Sequence, residues 1–396
     1  MDSRPPTYEY NIQGSSTSSN SIRNETTSSS GNPWSSSHSS NPPDMMYNIP
    51  PTEPISSQFQ DGPPLPQRPK WRLPYFTIAI TIVQISVFVS EMIYQHKWAH
   101  SILATKPTFN PMLGPSTYIQ IHMGSRFNPC MSYIQGVTDK AGDWPCPSST
   151  TVDTDVCTLS ELCGMGGVGS RPDQWWRFIT AMFIHTGIIH IILNMFVQFT
   201  VGIPSERTIG FFKYAILYLA AGINGFVLGG NFGSDGMSSC GASGALFGMM
   251  ALRLLELLFN WSQYDRPRRI LFGYLFDIVI TLILGLFPGI DNFAHIGGFM
   301  VGLTLGIAFL SPPTRIKSKM NASEPYYISS SSNYLQNQFN SARTKLSNRG
   351  PAWYAWLVVQ FGFVLLTAVY MIIFIKKFKS GGGNCSWCKY LSCIVS

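Results

Sequence analysis

The sequence predicts an all-α polytopic membrane protein, and three observations carry that expectation. Only 12% of the 396 residues are charged, against about 25% in soluble globular domains. From residue 73 onward, apolar stretches of 17 to 25 residues recur with almost no charge, and about 20 such residues cross a bilayer as a helix. Lys and Arg are also unevenly shared between the connecting loops. A soluble enzyme is excluded. The formal net charge of +7 reads as membrane topology rather than as a nucleic-acid surface.

Residues 1–69 are rich in Ser, Pro, Asn and Thr and nearly empty of Leu and Val. A segment that cannot bury a core stays unfolded, so a disordered tail is expected. No apolar run opens the chain as a signal peptide would, and no Arg-rich amphipathic pattern suggests mitochondrial import. Pro5-Pro6-Thr7-Tyr8 fits the pattern read by WW domains, which makes a WW-domain protein a candidate partner at Pro5 to Tyr8. Pro63-Pro64-Leu65-Pro66-Gln67-Arg68 fits an SH3 ligand. A plain solvated, proline-rich tail contains the same strings.

Seven spans follow, at 73–94, 178–202, 211–229, 243–259, 270–287, 293–310 and 353–375. Loops 203–210, 260–269 and 311–352 hold ten Lys and Arg, whereas the short loops 230–242 and 288–292 hold none. By the positive-inside rule the basic loops and the N-terminus are cytoplasmic. Arg68, Lys70 and Arg72 agree, while Lys376, Lys377 and Lys379 after the last span run against it. The expected organisation is a core over 70–311, a cytoplasmic linker at 312–352, a last span and a short tail at 376–396.

The long loop 95–177 then lies on the oxidising side, with Cys130, Cys146, Cys157 and Cys163. Disulfides persist there, so two bridges are expected within this loop, their connectivity open. In the tail, Cys385-Ser386-Trp387-Cys388 resembles a redox motif or half a metal site, but a structural bridge fits better because no second pair or His is near.

Polar residues within apolar spans are costly, and by default they mark function. The second span holds His185, His190 and Asn194. On a helix His190 and Asn194 fall within roughly 40° of each other, and His185 falls well away, as a structural histidine bonded to loop backbone. The fourth span opens Gly241-Ala242-Ser243-Gly244. Taken alone, Ser243 reads as a helix N-cap. The sixth opens Ala294-His295-Ile296-Gly297-Gly298 and continues with Gly302 and Gly306. If these spans pack through their small faces, Ser243 and His295 meet at one depth. A Ser hydroxyl beside a His is the minimal activated nucleophile. His190, Asn194 and the Ser243 N–H then suit an oxyanion. No acid is placed to orient His295, since Asp291 falls in a loop and Asp277 is assigned to an internal pair with Arg253.

Trp176-Arg177, His185 with His190 and Asn194, Gly241-Ala242-Ser243-Gly244 and Ala294-His295-x-Gly297-Gly298, in this order, resemble the rhomboid intramembrane serine proteases. The likeness spans roughly residues 73–311 and includes Gly124-Ser125-Arg126-Phe127-Asn128-Pro129-Cys130, which is similar to eukaryotic secretory-pathway members. It implies a six-helix rhomboid core plus a seventh C-terminal helix, without metal or cofactor. Ser243 would be nucleophile and His295 general base, with His190 and Asn194 lining the oxyanion hole and Gly241, Gly244, His185 and Gly298 supporting the site. Substrates would be single-pass transmembrane proteins, met in a Golgi, endosomal or plasma membrane bilayer. The glycine-rich 229–241 stretch and the loop after span 5 would be the mobile elements admitting water and substrate. A non-catalytic membrane-protein binder on the same scaffold is the rival.

Overall fold

A computed structural model of the chain describes residues 73–138, 144–149, 155–286, 290–313, 316, 350–382 and 388. The tail motifs at 5–8 and 63–68, most of the 312–352 linker, Cys385 and Cys393 lie outside the described residues. The first long helix, α1 (Tyr75–Ala99), leads into the long loop. That loop carries three short helices, α2 (Thr117–Met123), α3 (Asn128–Met131) and α4 (Leu159–Cys163). Between the last two, β1 (Trp144–Pro145) and β2 (Val156–Cys157) pair antiparallel. After a turn of helix, α5 (Arg177–Thr180), come α6 (Ile188–Val197), a π turn at Gln198–Gly202 and α7 (Ile203–Ile209). The rest is α8 (Phe211–Phe232), α9 (Ser243–Phe259), α10 (Pro267–Leu284), α11 (Asn292–Phe309) and α12 (Pro351–Lys379).

Five helices among the described residues are long and apolar enough to cross a bilayer: α1, the rod Ile188–Ile209, α8, α11 and α12. Two of the seven expected spans fall short of that description. Helix α9 has only 17 residues, about 25 Å at 1.5 Å per residue, and α10 carries Arg268, Arg269 and Asp277. The fold is all-α and multi-pass, and the protein is integral to the membrane.

Backbone contact between small residues builds the centre, where α8, α9 and α11 pack together. A methyl placed on Gly298 of α11 would overlap the Gly244 carbonyl oxygen of α9, and one on Gly302 the Gly248 carbonyl oxygen. The expected small faces of α9 and α11 therefore do meet, which fixes the depth of one helix against the other. Around them a polar ring ties α1 to the π turn after α6 and to α8. The buried Gln198 amide donates to Thr81 Oγ1 (2.7 Å) and Gln84 Oε1 (2.9 Å) and accepts from the Tyr218 hydroxyl (2.8 Å). Glu206 of α7 accepts the N–H groups of Phe76 and Thr77, both at 2.9 Å, satisfying the start of α1. In a bilayer such groups find no water and must be satisfied by protein.

The second expected span is the largest correction. Residues 181–187 are not helical, and the transmembrane rod begins only at Ile188 and continues past 202 to Ile209. A remote loop starts it. The carbonyls of Leu113 and Met112 accept the N–H groups of Ile188 (3.0 Å) and Ile189 (3.2 Å), donors that a helix start leaves unpaired. The last helix extends to Lys379, beyond the expected 375, with Lys377 Nζ 4.9 Å from the Phe232 ring centre, a cation–π contact. The assigned Arg253–Asp277 pair does not form; Arg253 instead pairs with Glu256, one turn along the same helix.

The long loop is a folded cap. Its disulfides join Cys130 to Cys163 and Cys146 to Cys157. Arg177 is buried beneath it and donates to the carbonyls of Ile121 (2.7 Å), Ser125 (2.6 Å) and Cys163. Burial lowers the Arg177 pKa to about 9, so it stays charged at neutral pH. In the tail, Cys388 is disulfide-bonded.

Candidate active site

Helices α9 and α11 each place one chemical residue in their first turn. Ser243 is the first residue of α9, and the N-cap position before it is Ala242. The Ser243 hydroxyl lies 2.9 Å from His295 Nε2. That displaces the simple N-cap reading of Ser243. His295 is 1% exposed, and its Nδ1 has no hydrogen-bond partner among the described residues. In the tautomer with hydrogen on Nδ1, Nε2 is the acceptor for the Ser243 hydroxyl proton.

The other two predicted polar residues face the same space. His190, Asn194, Ser243 and His295 all line one cavity of about 120 Å³, completed by apolar side chains of α6 and α9, by Thr281 of α10 and by Ile290 just before α11. Thr186 orients His190: its Oγ1 lies 2.6 Å and its N–H 3.4 Å from His190 Nδ1. An N–H can only donate, so Nδ1 accepts and Nε2 carries the proton. The Asn194 amide gives one hydrogen to the His190 carbonyl at 3.0 Å, leaving its second free. Both are donors at the edge of the cavity that holds Ser243.

The supporting residues are placed by close approach. Gly241 has φ +121°, a conformation open mainly to glycine, and a side chain there would strike the His190 ring. Gly244 and Gly298 form the α9–α11 contact already described. His185 lies in the non-helical 181–187 segment, where its Nδ1 sits 3.2 Å from the Phe183 carbonyl and its N–H donates to Glu91. The backbone bonding expected of it is there, but its expected distance from His190 is not. The two rings are 5.5 Å apart between centres, because the chain bends where a continuous helix was expected.

The chain is 38% identical over 403 residues to Rhomboid-type serine protease 2 of Emericella nidulans, covering 92% of this chain and 79% of that one. This chain belongs to the rhomboid family. The Rhomboid domain model matches residues 172–312, which contain all four cavity residues above. RHOMBOID-like protein 2 of Arabidopsis thaliana is 36% identical over 222 residues, 56% of this chain and 63% of the plant protein. Inactive rhomboid protein 1 of Papio anubis is 35% identical over 162 residues, 40% of this chain and 19% of that protein. Family membership therefore extends over chains with and without a protease name, and the site residues must carry the distinction.

Three residues of this rhomboid site escaped the sequence reading. Phe247 stacks on His295, with ring centres 4.4 Å apart and planes 10° from parallel. Thr186 sets the His190 tautomer. Asp291, assigned to a loop, caps α11 through its carboxylate, accepting the N–H groups of Phe293 and Ala294. The first two stood four positions from Ser243 and His190, the spacing of neighbours on one helix face.

Proposed function

We propose that this rhomboid is an intramembrane serine endopeptidase that cuts single-pass membrane proteins within or beside their transmembrane helices. The observation that carries the reading is the 2.9 Å contact of Ser243 Oγ with His295 Nε2 in a cavity shared with two hydrogen-bond donors. Ser243 Oγ attacks the scissile carbonyl carbon while its proton passes to His295 Nε2. The carbonyl oxygen becomes an oxyanion, held by His190 Nε2–H, the free Asn194 amide hydrogen and the Ser243 N–H at the start of α9. Collapse breaks the C–N bond, and His295 gives its proton to the departing amine. Water, deprotonated by His295, then hydrolyses the Ser243 ester and restores the hydroxyl.

The short α9 keeps this chemistry below the membrane surface, since about 25 Å of helix falls short of a hydrocarbon core of about 30 Å. A peptide bond there is accessible only when the substrate helix opens locally. The charge distribution and the disulfide-bonded loop support a cytoplasmic N-terminus and a secretory-pathway membrane. The PPxY pattern at Pro5 to Tyr8 supports a WW-domain regulator on the cytoplasmic side.

The test is cleavage of a helix-destabilised transmembrane substrate by the wild-type protein and by Ser243→Ala in the same liposomes. Product from wild type alone supports the protease. Equal product, or none from either, favours the non-catalytic binder that keeps the same scaffold.

A further inference from the structure

Arg126 stands between α2 and α3, more than a hundred residues before Ser243, and is 0% exposed. A buried guanidinium is costly unless its charge is matched; Arg126 Nε has no hydrogen-bond partner among the described residues, and the two terminal nitrogens carry its bonding. Its Nη2 lies 3.3 Å from Asp291 Oδ2, and its Nη1 donates to Asn128 Oδ1 at 2.9 Å. Asn128 in turn donates to the Gly230 carbonyl at the end of α8 (3.0 Å) and to Asp235 Oδ1 (2.8 Å).

The two oxygens of Asp291 are divided. Oδ2 faces Arg126, and Oδ1 accepts the N–H groups of Phe293 (3.0 Å) and Ala294 (3.2 Å). The Asp291 carbonyl accepts the N–H of His295 at 3.2 Å. One residue thus fixes the first turn of the helix that presents His295, and Arg126 fixes that residue.

The main chain of Arg126 reaches the other half of the pair. Its N–H donates to the Ser239 carbonyl and its carbonyl accepts the Ser239 N–H, both at 2.9 Å. Beside them, Ser125 Oγ and Ser238 Oγ are 2.7 Å apart. The segment that delivers Ser243 is held again at Gly241, whose N–H donates to the Ala181 carbonyl at 2.8 Å. The glycine-rich 229–241 stretch is therefore pinned at the end nearest the site, where a mobile element was expected.

We propose that Arg126 is a positioning residue for the Ser243–His295 pair. Its backbone sets the segment ending at Ser243, and its side chain sets the first turn of α11 through Asp291. The folded loop outside the membrane core thereby fixes the separation of the two reacting groups, and Cys130–Cys163 holds that loop in place. This rests on the reading of Ser243 and His295 as nucleophile and base.

The test uses the full chain in proteoliposomes as wild type, Arg126→Gln, Asp291→Asn and the double variant. The double variant leaves neither charge buried alone, so it keeps the comparison meaningful where a single variant folds poorly. Two readouts are taken: kcat and KM per folded molecule, and hydrogen exchange of amides in 238–243 and 292–296. Expected is a kcat lower by about tenfold or more with KM within about twofold, and faster exchange in both segments. Unchanged exchange in either segment overturns the clamp. Faster exchange with kcat within about twofold of wild type overturns the positioning role, since an ion pair that serves folding alone lowers the folded fraction and not its turnover. Wild type no more active than Ser243→Ala counts against the protease reading alone, and exchange then decides the clamp by itself.

Discussion

Phe247 lies parallel to the His295 imidazole, 4.4 Å between ring centres, one helical turn along α9 from Ser243. Ser243 and the ring thus belong to one face of one helix, and both contact the His295 imidazole. Stacking of this kind contributes about 0.5–1.5 kcal/mol beyond the area it buries. Among the described residues nothing bonds His295 Nδ1, and in the proposed mechanism the stacked ring orients the imidazole.

Phe247→Leu keeps the volume and removes the stacked face. Turnover is expected to fall by roughly 2- to 10-fold with KM little changed, as read by initial rates on a transmembrane substrate. Turnover equal to wild type would show that backbone placement alone orients the imidazole.

Thr186→Val removes the hydroxyl bonded to His190 Nδ1 at nearly constant volume. His190 is then free to take the other tautomer and lose the Nε2–H that the proposed mechanism aims at the oxyanion. Removing such a donor outright costs about 10²–10³ in kcat, so a loss of about tenfold or more is expected. Thermal unfolding in detergent serves as the control. A drop in stability without a drop in kcat would make Thr186 a folding residue only.

Gly298→Ala puts a methyl into the Gly244 carbonyl, and neither is a flexible side-chain tip that can turn aside. Overpacking of this sort costs about 1–3 kcal/mol, and it pushes α11 away from α9. Both the unfolding temperature and the activity are expected to fall. Gly362→Ala on α12, which meets nothing within 4 Å, is expected to change neither.

The two loop disulfides close segments of different length, with sequence separations of 33 and 11. Loop-closure entropy gives about 4 and about 3 kcal/mol respectively. Only Cys130 and Cys163 also belong to the buried cluster with Ile121, Phe127 and Leu162. Replacing Cys130 and Cys163 by Ala is expected to lower the unfolding temperature more than replacing Cys146 and Cys157. Equal losses would mean that the cluster holds the loop without its bridge.

Much of this was legible from residue types and their spacing, because the bilayer makes sequence unusually informative. In a charge-poor span each polar side chain needs a reason, and glycines at four-residue spacing set which helix faces touch. Those two facts alone bring Ser243 and His295 together. Phe247 and Thr186 were within reach of the same reasoning, since each stands four positions from a site residue. So was the pairing of Arg253 with Glu256, one turn away, rather than with Asp277 on another helix.

The break at 181–187 was not legible. Its first four residues, Ala181 to Ile184, are as apolar as a helix, and what starts α6 is a pair of carbonyls at Met112 and Leu113, over seventy positions earlier. Arg126 and Asp291 were hidden for the same reason, at 165 positions apart. Local pattern reports faces and periods, and so which helices can pack; contacts from an irregular loop to a distant helix leave no trace in it.

The pairing of Ser243 with His295 is tested most directly by the site and rate of a covalent adduct. The full chain in liposomes is treated with a fluorophosphonate, and peptides are mapped by mass spectrometry in wild type and in His295→Ala. The activated pair requires a single major adduct on Ser243 in wild type, with labelling slowed by at least about 10²-fold in His295→Ala. Labelling of Ser243 at the same rate in both, or no adduct on Ser243 in the wild-type protein, would contradict it.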